Sequence, residues 1–219
     1  MSIQNWMSLF HKHPNETCVI VGNGPSLKDV PLDFLKKYPT FGSNRIYLRE
    51  GFTPTYYICV NPLVRTQYIQ DILPLPCVKF LGGGPTIVED GNIFNLHSVN
   101  VPMFSYAPAN WIYEGYTVTF VAMQIAYFMG FETVLLVGVD HRYEFDGKPN
   151  EGMMMVGDDP NHFDPNYFKG AIWNNPDLEH SEEAYKLALR AYESTGGRIF
   201  NLTPCSALNV FETQHLEAW

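Results

Sequence analysis

Short apolar runs alternate with amphipathic stretches along most of the chain. Runs typical of buried strands occupy residues 17–22, 39–43, 55–60, 77–81, 133–139 and 198–203. Helical periodicity occupies residues 27–37, 62–72, 117–130 and 176 to about 195. Strands that alternate with helices in this way predict an α/β fold. We therefore expect a Rossmann-like three-layer sandwich with a mostly parallel sheet.

The most apolar elements predict the centre of that sheet. The helix at 117–130 is apolar almost all round, which indicates a buried helix, and Gly130 suits its C-terminal cap. The strand at 133–139 is continuously apolar and ends at Asp140, as expected of a central parallel strand. For the last helix, Asn175 is the predicted N-cap and Pro176 the first helical residue.

The N-terminal residues, 1–14, predict a short amphipathic helix. One face of this helix carries Ile3, Trp6, Met7 and Phe10. Their spacing is that of a single helical stripe. The stripe either packs on the rest of the domain or docks a partner.

A long connection over residues 141–176 departs from the alternation. It is rich in Gly, Pro, Asn, Asp and His and shows no clear period. It begins at the carboxyl end of a strand, where open α/β sheets bind ligands, and long connections of this kind are usually functional. We therefore expect a lid that covers the substrate.

Composition and charge limit the functional classes. The chain has 219 residues, of which 46% are hydrophobic, which suits one globular domain over residues 1–219. The formal net charge of −9 argues against nucleic-acid binding. An anionic ligand would then depend on backbone amides and a few cations, for which the candidates are Lys28, Arg45, Arg65 and Arg142.

Cysteine usage and hydropathy bear on the compartment. Cys18, Cys59, Cys77 and Cys205 form no C-x-x-C pair, and we expect them to be reduced and buried. No signal peptide is recognised, and no apolar run approaches the ~20 residues that span a membrane. These features predict a cytoplasmic protein; membrane association through partners and a homo-oligomer both stay open.

A glycine-rich turn follows the first strand. It consists of Gly22, Asn23, Gly24, Pro25 and Ser26. A strand that breaks through glycines toward a helix predicts a cradle of backbone amides for phosphate or a nucleotide. The turn lacks the third glycine of a dinucleotide site and the Lys-Ser/Thr of a P-loop. The alternative is a turn that only reverses the chain.

Polar residues also follow later strands. Asn44 and Arg45 come after the second strand and Asn61 after the third, so the two amides are expected to share one crevice. An amide offers both a donor and an acceptor to a sugar or a nucleobase, although each Asn could instead cap a turn or helix. At the start of the buried helix, Gly115, Thr117 and Thr119 could hold an anion or ribose, or simply cap the helix.

The long connection and the helix after it supply the candidate acid–base groups. These are Asp140, His141, Arg142, Asp146, Asp158, Asp159, His162, Asp164, Tyr167 and His180. A histidine is suited to deprotonate an acceptor hydroxyl near neutral pH. The carboxylates could instead hold Mg²⁺ around a pyrophosphate, but their spacing matches no standard metal motif, so no dedicated metal site is predicted.

Several motifs together resemble those of the MptE-like domain family, named after an archaeal 6-hydroxymethylpterin diphosphokinase. They are Val-Gly-Asn-Gly-Pro-Ser-Leu (21–27), Phe-Gly-Ser-Asn-Arg-Ile-Tyr-Leu (41–48), Pro-Thr-Tyr-Tyr (54–57), Gly-Val-Asp-His (138–141), Asn-His-Phe-Asp-Pro-Asn-Tyr-Phe (161–168) and Ile-Phe-Asn-Leu-Thr (199–203). The resemblance spans nearly the whole chain. It implies a nucleotide-related fold and, for many bacterial members, an association with surface glycans.

The chain is more distantly similar to bacterial CMP-sialic-acid-dependent sialyltransferases. That similarity implies nucleotide contacts from Asn23 and Ser26, and donor phosphate and sugar contacts from Asn44 and Asn61. It further implies that Gly115, Thr117 and Thr119 lie near the base and ribose, with Asp140 ending the adjoining strand. His180, in Glu-His-Ser, matches the family's general base, His162 is its rival, and Tyr143 and Tyr167 are the counterparts of the tyrosines that assist the leaving phosphate.

Three functional hypotheses result. The first is a glycosyltransferase that uses a nucleotide-activated sugar, CMP-type favoured, and a glycan or small-molecule acceptor, with no firm cofactor. The second is an ATP-dependent diphosphokinase of the 6-hydroxymethylpterin type, with Mg²⁺ held by Asp140, Asp158 and Asp159. The third is a non-catalytic nucleotide-sugar-binding module.

Overall fold

The computed structural model describes residues 6–84 and 90–219. Its strands are β1 (Thr17–Val21), β2 (Thr40–Ser43), β3 (Tyr56–Cys59), β4 (Val78–Leu81), β5 (Ile93–Asn95), β6 (Ser98–Val99), β7 (Ile112–Tyr113), β8 (Thr133–Val137), β9 (Gly152–Met154), β10 (Ile172–Asn174), β11 (Arg198–Asn201) and β12 (Glu212–Thr213). Its helices are α1 (Leu32–Leu35), α2 (Pro62–Ile72), α3 (Val118–Phe128) and α4 (Leu178–Glu193). Short 3₁₀ turns cover Pro25–Asp29, Ile46–Leu48 and Leu216–Ala218.

Eight of these strands form one sheet in the order β12–β11–β8–β1–β2–β3–β4–β5. The pairs along this sheet are parallel, which confirms the predicted fold class. From β1 the chain winds outward through β2 on one side and resumes at β8 on the other. The strand order therefore reverses between β1 and β8, which is the point where open α/β sheets bind ligands.

The apolar core lies on both faces of the sheet. Cys18 and Ile20 of β1 pack with α3 and α4 on one face. Val19 and Val21 pack on the other face with α1, α2 and aromatic residues of the 163–173 stretch. Because successive strand side chains point to opposite faces, the continuous apolar run of β1 serves both layers. The three-layer arrangement is thus confirmed.

The helix predicted at 27–37 is wrong as a single element. The chain instead forms the 3₁₀ turn at Pro25–Asp29 and the short α1, with Val30 extended between them (φ −74°, ψ 120°). A residue before proline is pushed out of the helical region, and Pro31 follows Val30 directly. That single proline divides the segment.

The predicted N-cap of the last helix is also wrong. Asp177 caps α4, because its side chain accepts a hydrogen bond from the His180 amide. Asn175 lies before the helix, and its side-chain amide donates to the carbonyls of Asp146 and Lys148. Asn175 therefore anchors the 141–176 segment.

The N-terminal residues only partly match the predicted helix. Trp6 and Leu9 are buried, whereas Met7 and Phe10 are exposed. Trp6 and Met7 are helical, and turns follow them, with hydrogen bonds from Leu9 to Trp6 and from Lys12 to Leu9. Ile3 lies outside the described residues. That the chain is one domain stays a prediction.

The 141–176 segment has more structure than its sequence indicated. Met153 faces Trp173 in the antiparallel hairpin of β9 and β10. Phe163, Tyr167 and Phe168 are buried in the core beside the sheet. Outside this hairpin, residues 141–176 have no helix or strand, but their aromatic side chains pack on the sheet. That the segment covers a substrate stays a prediction.

Two further expectations concern exposure. Cys18 and Cys59 are buried, but Cys77 is half-buried and Cys205 is exposed. The prediction that all four cysteines are buried is therefore wrong for Cys77 and Cys205; all four are free thiols.

Within residues 6–84 and 90–219, no helix combines the length and the apolar character needed to cross a bilayer.

The close approach of β1 and β8 gives a stability prediction. A Cβ on Gly22 would collide with the Gly138 carbonyl oxygen. We predict that Gly22→Ala lowers the free energy of unfolding by about 1–3 kcal/mol, because the added methyl overpacks a tight contact. Urea unfolding measures this. Gly91→Ala is the control, since a Cβ there meets nothing within 4 Å; equal stability of the two variants would contradict the close contact.

Candidate functional site

A cleft opens at the carboxyl edge of the sheet, beside the switch point between β1 and β8. Two adjoining lobes, which we call the outer and the inner lobe, have volumes of about 340 and 110 Å³. Both lobes are lined by Asn44, Tyr116, Thr117, Val118, Tyr143, His162, Pro176 and Asp177. The outer lobe has the size of a small-molecule site.

Three helices begin at this cleft. The first turn of α2 lines the outer lobe, the first turn of α3 lines both lobes, and Leu178 of α4 lines the inner lobe. A helix N-terminus carries a partial positive charge and unpaired amides. These helix ends therefore contribute positive backbone potential to the cleft, which the lining carboxylates of Glu114 and Asp177 oppose.

Side chains predicted as ligands cap two of these helices. Asn61 Oδ1 accepts from the Leu63 amide at 2.8 Å, and Thr117 Oγ1 accepts from the Thr119 amide at 3.3 Å. Asn61 and Thr117 thus act as helix caps. Asn61, Thr117 and Thr119 also line the cleft, as predicted for ligand-binding residues. Gly115 is not among the described lining residues, and its left-handed backbone (φ 55°) shapes the entry to α3.

The glycine turn supplies the floor of the inner lobe through Gly22, Asn23 and Gly24. Its amides are largely occupied: Gly22 N donates to the Val137 carbonyl at 2.8 Å and Gly24 N to the Gly138 carbonyl at 2.9 Å. These two amides do not form the phosphate cradle expected from the sequence. They instead tie the end of β1 to the end of β8.

Pro25, Ser26 and Asp140 lie behind the turn. Ser26 donates to the Asp140 carboxylate through both its amide and its hydroxyl, the latter at 2.8 Å. Pro25 starts the adjoining 3₁₀ turn. None of the three is among the described residues that line either lobe. The geometry therefore gives them a supporting position.

Three asparagine oxygens at the cleft, those of Asn23, Asn44 and Asn175, lack partners within the described chain. The Asn23 amide nitrogen donates to the Ser43 carbonyl at 3.3 Å, which leaves its Oδ1 buried and unpaired. Asn44 has a left-handed backbone (φ 51°), and its Oδ1 is also buried and unpaired. Buried acceptors are normally satisfied, so a ligand or water that donates is expected here.

His162 lines both lobes. Its Nδ1 lies 2.8 Å from Asp159 Oδ2, and the Asp159 side chain is fully buried. The imidazole stacks on the Tyr167 ring with centroids 4.1 Å apart and planes within 5°. The carboxylate and the ring together fix the orientation of the imidazole.

Tyr167 itself is fully buried and is not among the described lining residues. Its hydroxyl accepts from the Arg45 amide at 2.9 Å, and the Arg45 guanidinium donates to the Tyr167 carbonyl. Arg45 also lies over the Tyr68 ring at 4.1 Å. The structure thus places Tyr167 and Arg45 behind His162 rather than against a substrate.

His180 lies at the rim of the cleft and is not among the described lining residues. Its Nδ1 is 2.9 Å from Asp177 Oδ1, its side chain is 59% exposed, and its ring lies against Tyr116. The hydrogen bond to Asp177 and the charge of that carboxylate raise the pKa of His180. Burial acts to raise the pKa of Asp177, but hydrogen bonds from His180 and Asn150 lower it overall.

A third histidine–carboxylate pair joins His141, one of the candidate acid–base groups, to Glu182, which the sequence analysis did not single out. His141 lines the inner lobe, and its Nε2 lies 3.2 Å from Glu182 Oε1. Burial lowers the pKa of His141, and Glu182 partly opposes that shift. The position of His141 just after a strand could be recognised from the sequence, but its pairing with Glu182, 41 residues later, is visible only in the fold.

No lysine or arginine lines either lobe among the described residues. Arg45 is held by the 163–168 stretch, Arg65 is buried and donates to the Gly82 carbonyl, and Arg142 donates to the Cys205 carbonyl. The arginines expected to bind an anion thus donate to backbone carbonyls outside the described lining of the cleft. Any negative charge in the cleft must be met by backbone dipoles and histidines.

The carboxylates proposed for Mg²⁺ are not gathered at one point. Asp158 is exposed and pairs with Lys169, Asp159 is buried against His162, and Asp140 binds Ser26. Over the described ranges, no three His, Cys, Asp or Glu side chains are arranged to hold a metal ion. The ligand set of the diphosphokinase hypothesis is therefore not assembled.

The Asp177–His180 pair gives a prediction about pH. Asp177→Asn keeps an N-cap for α4, because asparagine caps as well as aspartate, but removes the charge beside His180. We predict that the pKa of His180 falls toward its ordinary value, as measured by an NMR titration of the ring. Asp33→Asn, in the surface pair with Lys36, is the control and should leave it unchanged. A His180 that titrates identically in both variants would contradict the pairing.

Comparison with known proteins adds to this geometry. The model of the family described as 6-hydroxymethylpterin diphosphokinase MptE-like matches residues 2–146. Among solved structures, the sialyltransferase CstII from Campylobacter jejuni, in complex with the substrate analogue cytidine-5'-monophosphate, is 14% identical, with a TM-score of 0.46 over 93% of this chain and 86% of that chain. No curated protein matches the chain with significance. Because the family model matches more than half of the residues of this chain, the chain belongs to the MptE-like family.

Proposed function

We propose that the protein is a nucleotide-dependent transferase, and specifically a glycosyltransferase that moves a sugar from a nucleotide-activated donor to an acceptor in cell-surface glycan synthesis. One observation carries the proposal. The outer lobe combines asparagine amides, aromatic side chains and an oriented histidine where helices begin, with no lysine or arginine in its described lining.

The lining suits a sugar. Six asparagines border the outer lobe: Asn44, Asn61, Asn100, Asn150, Asn174 and Asn175. Each amide can donate and accept, which matches the mixed hydrogen bonding of sugar hydroxyls. Tyr116, Phe168 and Trp173 add aromatic surface for the apolar face of a sugar or base. Asn175 Oδ1 is buried without a partner in the described chain, as expected of a group that a ligand completes.

The charge of the site favours a donor with a single phosphodiester. The N-termini of α2, α3 and α4 offer partial positive charge, which stabilises an anion by a modest amount each. At α2 the Leu63 and Val64 amides already donate to Asn61, so the helix dipole and not a free amide acts there. The phosphodiester that links a sugar to a nucleoside monophosphate carries one negative charge. A nucleoside triphosphate carries several and would require cations that the described lining lacks.

His162 is the proposed general base. Asp159 accepts from Nδ1–H and thereby leaves Nε2 as the basic nitrogen. The acceptor hydroxyl gives its proton to Nε2 while its oxygen bonds to the anomeric carbon. The bond from that carbon to the phosphate oxygen breaks, and the electron pair leaves with the nucleoside monophosphate. Amides at the helix N-termini stabilise the charge on the departing phosphate.

The second candidate is a diphosphokinase, which the description of the matched family favours. It transfers diphosphate from ATP and depends on Mg²⁺ to neutralise charge. The dispersed positions of Asp140, Asp158 and Asp159 weigh against it. A binding module without catalysis is the third outcome that an assay must separate.

The test is turnover of nucleotide sugars in EDTA, with CMP-sialic acid as the first donor and release of nucleotide as the readout. We predict that His162→Ala lowers kcat by about 10²–10⁴-fold with a smaller change in KM, because it removes the base and not the donor contacts. His180→Ala, at the rim, is the matched control and should retain activity within a few-fold.

The outcomes separate the candidates. Full activity of His162→Ala would remove His162 as the base, and a large loss in His180→Ala would assign that role to the rim. Turnover of ATP only with Mg²⁺ would favour the diphosphokinase. Donor binding without turnover by the wild-type protein would favour the binding module.

A further inference from the structure

The inner lobe contains an acid–base pair that the proposed reaction does not use. His141 follows β8 with a left-handed backbone (φ 52°), and its side chain is 6% exposed. Glu182 reaches it from the second turn of α4, with Oε1 at 3.2 Å from Nε2. A histidine in this uncommon conformation beside a cleft is a feature often found at functional sites.

The pairing determines which nitrogen faces a ligand. Glu182 is an acceptor, so Nε2 carries the hydrogen of the neutral ring and Nδ1 presents a lone pair. Nδ1 has no hydrogen-bond partner among residues 6–84 and 90–219. Burial lowers the pKa of His141, so the ring is neutral near pH 7. Nδ1 is therefore an available acceptor.

The inner lobe contains a second unpaired acceptor. Asn23 Oδ1 is buried and unpaired, and its orientation is fixed because the amide nitrogen donates to the Ser43 carbonyl. The amides of Gly22 and Gly24 are already bonded to carbonyls of the β8 end. The described lining contains no lysine or arginine. These two acceptors suit a ligand group with N–H or O–H donors, and the hydroxyl groups of Ser43 and Thr119 in the same lining can accept or donate.

We propose that His141, positioned by Glu182, binds the ligand directly by accepting a hydrogen bond at Nδ1 from an N–H or O–H group of the nucleotide-activated donor. The inner lobe thereby recognises an amino or hydroxyl group of the nucleoside of the donor, while the phosphate lies at the helix N-termini of the outer lobe. This assignment rests on the proposed function and names the part of the substrate that the inner lobe selects.

Two substitutions at one position separate ligand contact from a structural role. The asparagine oxygen of His141→Asn takes the place of Nδ1 and retains the acceptor, but it cannot reach Glu182. The longer His141→Gln retains the contact with Glu182 and loses the acceptor at Nδ1. Asparagine also tolerates the left-handed backbone. If the residue only tied β8 to α4, His141→Gln would be the milder change.

The experiment is calorimetric titration of CMP, UMP, AMP and GMP into wild-type and variant protein, with thermal melts to confirm folding. For the nucleotide that binds wild type best, we expect His141→Gln to weaken binding about tenfold, as for loss of one hydrogen bond. His141→Asn should bind within about threefold of wild type. On wild type, ¹⁵N NMR should show the His141 Nδ1 resonance shifting at saturating nucleotide, which keeps the test valid if His141→Gln does not fold.

The failures are distinguishable. Three results would overturn the contact and leave the proposed transferase function intact. They are unchanged nucleotide binding in both variants, an equal loss of binding in both, and a His141 Nδ1 resonance that does not shift when nucleotide binds. Absence of binding by any of the four nucleotides to wild type would overturn the contact and the proposed function together.

Discussion

The parallel pairing of β1 with β8 is the constraint on which the rest of the molecule depends. Five residues of β1 pair in register with five of β8, from Thr17 opposite Thr133 to Val21 opposite Val137. Because the strands are parallel, their carboxyl ends meet at one edge, and the helices that return the chain begin there. The Gly22–Gly138 contact keeps the two ends close. The cleft, its asparagines and its helix N-termini all follow from this arrangement.

The charge in the cleft is set by histidine–carboxylate pairs and helix N-termini, because no lysine or arginine is in its described lining. Three histidine–carboxylate pairs surround it, and each has a different environment. His162 lies against a fully buried Asp159, His141 against a partly exposed Glu182, and His180 is itself exposed beside Asp177. Burial lowers the pKa of His141, whereas its carboxylate partner raises that of His180. One cleft thus holds imidazoles with different affinities for a proton.

The fold could be read from the sequence where local signals were strong. Continuous apolar runs located β1 to β4, β8 and β11, because a strand buried on both faces needs no polar positions. The strands β5, β9, β10 and β12 have two or three residues each, which is too short for an alternating hydrophobic pattern to be recognised in the sequence. Val30 before Pro31 split a predicted helix, a boundary that the pre-proline rule supplies but the apolar pattern hides.

The candidate site was predictable only in part. Strand-end position brought Asn23, Asn44 and Asn61 to the cleft, as parallel topology requires, whereas His162 reaches it from the 141–176 segment. Which amides were already bonded depended on β1 lying beside β8, and which carboxylate held each histidine depended on the path of the 141–176 segment. Such contacts join distant parts of the chain, so no local pattern encodes them.

The central claim is that the cleft holds a donor linked to a nucleoside monophosphate, without a metal ion, through helix N-termini and amide side chains. The most direct measurement is the thermal stability of the protein in EDTA with increasing CMP or a CMP-sugar, beside ATP with and without Mg²⁺. A ligand that binds the native state raises the melting temperature by mass action. Stabilisation by the monophosphate donor without metal is the predicted result. Stabilisation only by ATP with Mg²⁺ would contradict it.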